Sequence, residues 1–313
     1  MKIEDAIAIS RASQHSWGDE TAAGLRRRFR YENFFDFLDT IKTMCGFLCS
    51  VDALERTARW VSEMLGSHGV VYAEVYTSPL IYQRWGLRWS EVSGALEEGF
   101  AEGEDEGGAR CMILLDSVRQ WGPDAAHEVL GLQQNEPCAR VIGFGLGGEE
   151  SVDLVEFLDV YERARDLGLR TTVHAGETGE ASDVAFAIEK LRVDRVAHGI
   201  RCLDDASVLD LVRDSKTPLD LAVSSNYRTR VVRGIHPIGA LLGAGLTVTL
   251  GTDDPTLFGT DPERELRRAI CAGNLGAEEA MSIITAGVEA SFAPANLKDV
   301  MRAEIRNFER SDS

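Results

Sequence analysis

Gly245-Leu246-Thr247-Val248-Thr249-Leu250-Gly251-Thr252-Asp253-Asp254-Pro255 decides how the rest of the chain is read. Leu246, Val248 and Leu250 alternate with Thr247, Thr249 and Gly251, the period of a strand. A proline, which has no N–H to give a ladder, ends the run directly after two adjacent carboxylates. Acids that close repel, so one of them has its pKa raised unless a cation or a bound proton offsets the charge. Taken alone, the pair also fits a loop or a helix cap ahead of the helix that begins near Pro262. The remainder of the chain separates these readings.

Upstream of this run the sequence alternates between strand and helix signals. Strands are expected at Val70–Tyr76, Cys111–Asp116, Val141–Gly148, Thr171–His174, Arg195–His198 and Pro218–Val223. Between them lie helices at Trp89–Phe100, Gly122–Leu130, Ser151–Leu167 (with Ser151 as cap), Ala181–Leu191, Ala206–Asp214 and Pro237–Leu242, and an acidic loop around Glu102–Gly108. Ahead of the first strand, residues 2–30 read as polar helix, and Tyr31–Leu48 and Val51–Leu65 as two amphipathic helices. This is a βα repeat with no linker or change of composition, so residues 1–313 form one α/β domain. Seven strands are found. A closed (β/α)8 TIM barrel needs eight, so this is either an open doubly wound sheet or a barrel whose first strand is missing from the chain.

The 313 residues are 44% apolar and 27% charged, a globular composition large enough for one barrel. A net charge of -18 and a pI near 4.8 repel phosphate and argue against nucleic acid or an anionic membrane as partner. Arg26-Arg27-Arg28 is a short basic cluster, not a stripe. The opening Met1-Lys2-Ile3-Glu4-Asp5 lacks a basic and apolar leader, and no apolar run approaches membrane-spanning length, so a cytoplasmic protein is expected. The six cysteines are scattered, and Cys45 with Cys49 reads as two small residues on one helix face.

Chemistry in such a barrel sits at the C-terminal ends of its strands. The residues there are Glu74, Asp116, Gly147-Gly148-Glu149, His174-Ala175-Gly176-Glu177, His198-Gly199, Ser224-Ser225-Asn226 and Asp253-Asp254. Two imidazoles ending consecutive strands beside a carboxylate pair are the ligand types of a catalytic zinc site that leaves a position open for water. Zinc held by His174 and Asp253 would bring the pKa of its water toward neutrality. Asp254 and His198 are placed to take and orient protons, and Glu177 to donate one. No lysine stands at a strand end, which excludes a Schiff-base barrel.

His174-Ala175-Gly176-Glu177, Val196-Ala197-His198-Gly199, Ser225-Asn226 and Thr252-Asp253-Asp254-Pro255 resemble, in order and spacing, the adenosine deaminase family of the amidohydrolase superfamily. Tyr72-Ala73-Glu74-Val75 with Ser78-Pro79, Gly147-Gly148-Glu149-Glu150 and His236-Pro237 extend the similarity over the whole chain. The resemblance implies a (β/α)8 barrel with one zinc that hydrolytically deaminates adenosine or a related 6-aminopurine such as adenine or aminofutalosine. It makes His174 and Asp253 metal ligands. Glu177 becomes the donor to purine N1, and His198 the group that orients the nucleophile. Asp254 is the water's base and contacts N7, while Gly148 is a backbone donor to N3. The implied partner is a small-molecule purine nucleoside or base; oligomeric state stays open.

The family's first strand carries a His-x-His pair that supplies two further zinc ligands, and this sequence has none: His15, His68 and His127 are isolated. Met1–Ala6 fits the start of the helix that follows that strand, so the strand and both ligands are expected upstream of Met1. The alternative is a non-catalytic pseudoenzyme or binding protein on the same barrel. Tyr76, where many relatives carry Arg, and Arg228-Thr229-Arg230 are smaller departures that bear on the substrate.

Overall fold

The computed structural model describes residues 21–311. Its centre is a curled parallel sheet of seven strands: β1 Tyr72–Thr77, β2 Arg110–Val118, β3 Val141–Gly147, β4 Arg170–Ala175, β5 Arg195–His198, β6 Leu219–Leu221 and β7 Val248–Leu250. Each strand pairs with the next in sequence, β1 through β7, as in a barrel wall, and the doubly wound alternative is thereby excluded. Among the described residues no eighth strand joins β7 to β1. Residues 1–20, with His15 and Trp17 and most of the expected first helix, lie outside the described residues; Ala22–Arg28 is helical. No described helix is long and apolar enough to cross a membrane.

β2 to β5 are buried over most of their length, and β2 and β3 read accordingly as near-continuous apolar runs. Ile113, Leu115, Phe144, Leu146, Val173 and Val196 are fully enclosed. Outside them the helices Val51–Ser67 and Trp89–Asp105 pack closely, because a Cβ on Gly99 would stand 2.1 Å from the carbonyl oxygen of Glu55. Ser50 caps the first of these by accepting from the Ala53 N–H.

Several boundaries differ from expectation. The second of these helices runs on through the stretch expected as an acidic loop, to Asp105. The expected Ser151–Leu167 helix is a 3-10 turn, Leu154–Phe157, followed by Leu158–Asp166. Its cap is Asp153, whose carboxylate accepts from Val155 N–H, and not Ser151. β6 stops at Leu221 and Val223–Arg228 is helical, so Ser224-Ser225-Asn226 sits on a helical turn. Its anchor is Glu265, 1% exposed, which accepts from the Ser224 N–H at 2.8 Å and from its hydroxyl. β7 is only three residues long, and Asp253-Asp254 lies past its end, ahead of a short helix at Pro255–Phe258.

Glu74 is not a strand-end group. It lies inside β1 and accepts from Arg195 Nη2 at 2.5 Å and from the Phe292 N–H at 2.5 Å. Arg195 also ion-pairs through Nε with Asp220 of β6 at 2.9 Å, and its guanidinium stacks 4.0 Å from the Phe292 ring centroid. This cross-braces β1, β5 and β6 inside the sheet and leaves the carboxyl ends of the strands free for chemistry.

Candidate active site

The carboxyl edges of β4 and β5 bring two imidazoles together. His174 is the penultimate residue of β4 and His198 the last of β5, with ring centroids 5.1 Å apart. His198 is 3% exposed and has φ of 64°, a left-handed conformation that a non-glycine residue holds only under tertiary constraint, at a cost on the order of 1–3 kcal/mol. Asp253 has φ of 52°, so the acid pair also leaves its strand through a left-handed residue. Donor atoms of His174, Glu177 and His198 all lie within 4.8 Å of one another.

Glu177 is 3% exposed and held from two sides. Its backbone N–H, with those of Thr178 and Gly179, donates to the carboxylate of Glu150, at 3.1, 2.7 and 2.5 Å. The side-chain Oε1 accepts from Asn226 Nδ2 at 3.3 Å, and Oε2 faces His198 Nε2 at 3.5 Å. Burial, then the charge of Asp253, push its pKa up to about 8, so in the protein without a cation Glu177 carries a proton at neutral pH. Asp254 is raised well above the usual carboxylate range by burial, then by Asp253 and Asp116.

Asp116, two residues before the end of β2, joins this group. Ser78 Oγ donates to its Oδ2 at 2.7 Å, while its Oδ1 is buried without a hydrogen-bond partner. Burial raises its pKa to about 6 despite the Ser78 hydroxyl. Gly147 stands beside it: a Cβ there would meet Asp116 Oδ1 at 3.3 Å and His174 Nε2 at 3.4 Å. Gly148 has φ of 110°, and a Cβ on it would fall 2.3 Å from Gln120 Oε1, which accepts the Glu149 N–H at 3.1 Å. Tyr76 packs its ring 6.1 Å from that of His174 and bonds Thr172 Oγ1 at 2.8 Å.

The expected residues His174, Glu177 and His198 are therefore assembled by the fold, and the charge of Asp253 acts on Glu177 and on Asp254. Glu150, Asn226 and His236 occur in the sequence motifs but carry no role there; their work is hydrogen bonding between segments 10–49 residues apart. Asp116 was visible only as a strand-end acid. The set fits a divalent cation: imidazole and carboxylate groups converge, one buried carboxylate oxygen has no partner, and burial raises the pKa of Asp116, Glu177 and Asp254, a cost that a cation would offset.

A parallel βα barrel wall with this set on its carboxyl edge is the architecture of a hydrolase-type barrel. Residues 18–308 match the family model for adenosine deaminase, and the chain belongs to that family. It is 30% identical to an adenine deaminase of Rhodopseudomonas palustris, over 92% of this chain and 85% of that protein. The solved adenine deaminase of Arthrobacter aurescens superposes with a TM-score of 0.93 at 26% identity, covering 98% of this chain and 95% of that one. An amidohydrolase of Burkholderia ambifaria with bound Zn superposes at 0.89 and 22% identity, covering 98% and 86%, and speaks to the fold alone.

Proposed function

We propose that the protein is a zinc-dependent enzyme that hydrolytically deaminates a 6-aminopurine, with adenine the foremost substrate, to the 6-oxo purine and ammonia. The observation that carries this reading is the buried contact set of Glu177, Asn226 and His198 beside His174. It couples a proton donor to an imidazole at one point on the carboxyl edge of the sheet. Family membership supports the reaction class, and the names of the two adenine deaminase relatives favour the free base over adenosine.

His174 and Asp253 would hold the zinc, which when bound brings a water toward hydroxide at neutral pH. The chain's own groups supply the rest. Glu177 protonates ring N1 as the water oxygen attacks C6, drawing electron density off that carbon. Asp254 accepts a proton from the attacking water and contacts N7. His198 orients the oxygen and stabilises the charge that develops on it. The N–H of Gly148 meets N3, and the absence of a Cβ there lets the ring approach the backbone. The proton taken up by Asp254 passes to the amino nitrogen, the C6–N bond breaks to release ammonia, and the proton left on the C6 oxygen returns to Glu177 as the 6-oxo group forms.

The test is ammonia release from adenine, adenosine and AMP, with bound zinc measured on the same sample. Adenine is expected to be consumed with equimolar ammonia, and the activity to be lost on chelation and restored by zinc. A zinc-replete protein that releases ammonia from none of the three would overturn the reading.

A further inference from the structure

Behind His198 a line of hydrogen bonds starts at a backbone amide and ends at the site. The helix Ile238–Gly243 opens after Pro237, and its first N–H has no partner within the helix. Ile238 N–H donates instead to His236 Nδ1 at 3.2 Å. A ring nitrogen that accepts a backbone N–H carries no proton, so the proton of neutral His236 is on Nε2. That side chain is 1% exposed, and burial keeps it neutral by lowering its pKa to about 4. Nε2–H points at Asn226 Oδ1, 3.1 Å away, which orients the amide. Its NH2 then faces Glu177 Oε1 and His198 Nδ1, each at 3.3 Å. An amide NH2 only donates, so His198 Nδ1 must accept.

We propose that His236 and Asn226 are positioning residues that lock His198 in the tautomer protonated on Nε2, the nitrogen that faces Glu177 and the reaction centre. The lock makes His198 a hydrogen-bond donor, through Nε2–H, to the attacking oxygen, and it denies the imidazole the role of base for the water proton, which falls to Asp254. The reverse tautomer would set His198 Nδ1–H against the amide NH2, two buried donors facing each other with no acceptor between them. The inference rests on the deaminase reading for what His198 does, but the tautomer itself is a property of the resting protein.

The experiment is a long-range 1H–15N correlation on the zinc-loaded full chain with 15N-labelled histidine, with His198 assigned from the signals lost in His198→Asn. The wild type is expected to show Nδ1 as an unprotonated ring nitrogen and Nε2 as a protonated one. His236→Phe removes the donor that orients the amide. It is expected to mix the tautomers and lower kcat on the order of 10- to 100-fold with little change in KM. His236→Gln, whose oxygen accepts from Ile238 and whose NH2 donates to Asn226, should restore both readouts. Should the phenylalanine variant not fold, Asn226→Asp gives an acceptor-only group against Nδ1 and should move the proton there. A wild type with Nδ1 protonated, or a His236→Phe or Asn226→Asp variant that keeps the Nε2–H form and full kcat, overturns the lock. A protein with the locked tautomer that deaminates no 6-aminopurine instead overturns the deaminase reading and leaves the lock standing.

Discussion

His198 Nε2 lies 3.5 Å from Glu177 Oε2, and both side chains are buried. In the proposed reaction this proximity would put the proton donor next to the group that orients the nucleophile, so that the two would act on adjacent atoms of one substrate. Glu177→Gln keeps the shape and the Asn226 contact while removing the transferable proton. Bound zinc should stay unchanged and kcat should fall by about two to four orders of magnitude, the usual share of a general acid. Metal analysis with steady-state kinetics checks it; near-normal turnover would remove Glu177 from the chemistry.

The same burial has a signature in the stability of the metal-free protein. Glu177 and Asp116 have folded pKa values raised to about 8 and about 6, from 4.5 and 3.8. The folded state therefore binds more protons than the unfolded state across that window, and stability falls as pH rises through it. The contribution is fully present below the unfolded values and lost above the folded ones. Urea midpoints of chelator-treated protein should decline from about pH 5 to pH 8, and Glu177→Gln should flatten the upper part of the decline. A midpoint that rises with pH over this range would contradict the burial of protonated acids.

Asp253 is the acid whose charge acts on Glu177, Asp116 and Asp254 alike. If it is a zinc ligand, Asp253→Ala should reduce the bound metal to well under one equivalent after dialysis. Retention of a full equivalent, read by metal analysis, would assign the ligand elsewhere, with Asp116 the first alternative because its Oδ1 is unpartnered.

Glu150 accepts from three successive backbone amides, those of Glu177, Thr178 and Gly179. Glu150→Ala strips the acceptor from all three, and a buried donor left unmade costs about 1–3 kcal/mol. A loss of at least about 2 kcal/mol in urea denaturation is expected, with kcat reduced because the backbone that carries Glu177 is no longer fixed. Glu150→Gln retains one acceptor oxygen and should recover part of each. Unchanged kcat in the alanine variant would make the contact purely structural.

Much of this was legible in the sequence because strand and helix signals alternate along it, most plainly at β2 and β3, where Ile, Leu, Val and Phe cluster. Strand-end position was enough to expect His174 and His198 side by side, as the structure has them. What was not legible is whatever depends on contacts across sequence. Ser224-Ser225-Asn226 reads as a strand end after Val223, yet Glu265, some 40 residues on, draws Ser224 into a helical turn and so aims Asn226 at His198. Glu74 reads like the other strand-end acids; only its pairing with Arg195, 121 residues away, shows that it faces the opposite way.

That pairing gives the remaining prediction. Arg195 is ion-paired to Glu74 at 2.5 Å and to Asp220 at 2.9 Å, with side chains 8% exposed for the arginine and 7% for Glu74. Removing one member of a buried ion group leaves the others as uncompensated charge, at a cost of about 3–5 kcal/mol. Arg195→Met should therefore destabilise the fold by that amount, because Glu74 and Asp220 would then face each other across β1 and β6 without a cation. Adding Glu74→Gln and Asp220→Asn removes both orphaned charges and should return much of the loss, so the three changes together should be less harmful than the first alone. Equilibrium urea denaturation of the single and triple variants decides it. A triple variant as unstable as Arg195→Met would mean that packing of the guanidinium on Phe292, and not charge balance, is what braces the interior of the sheet.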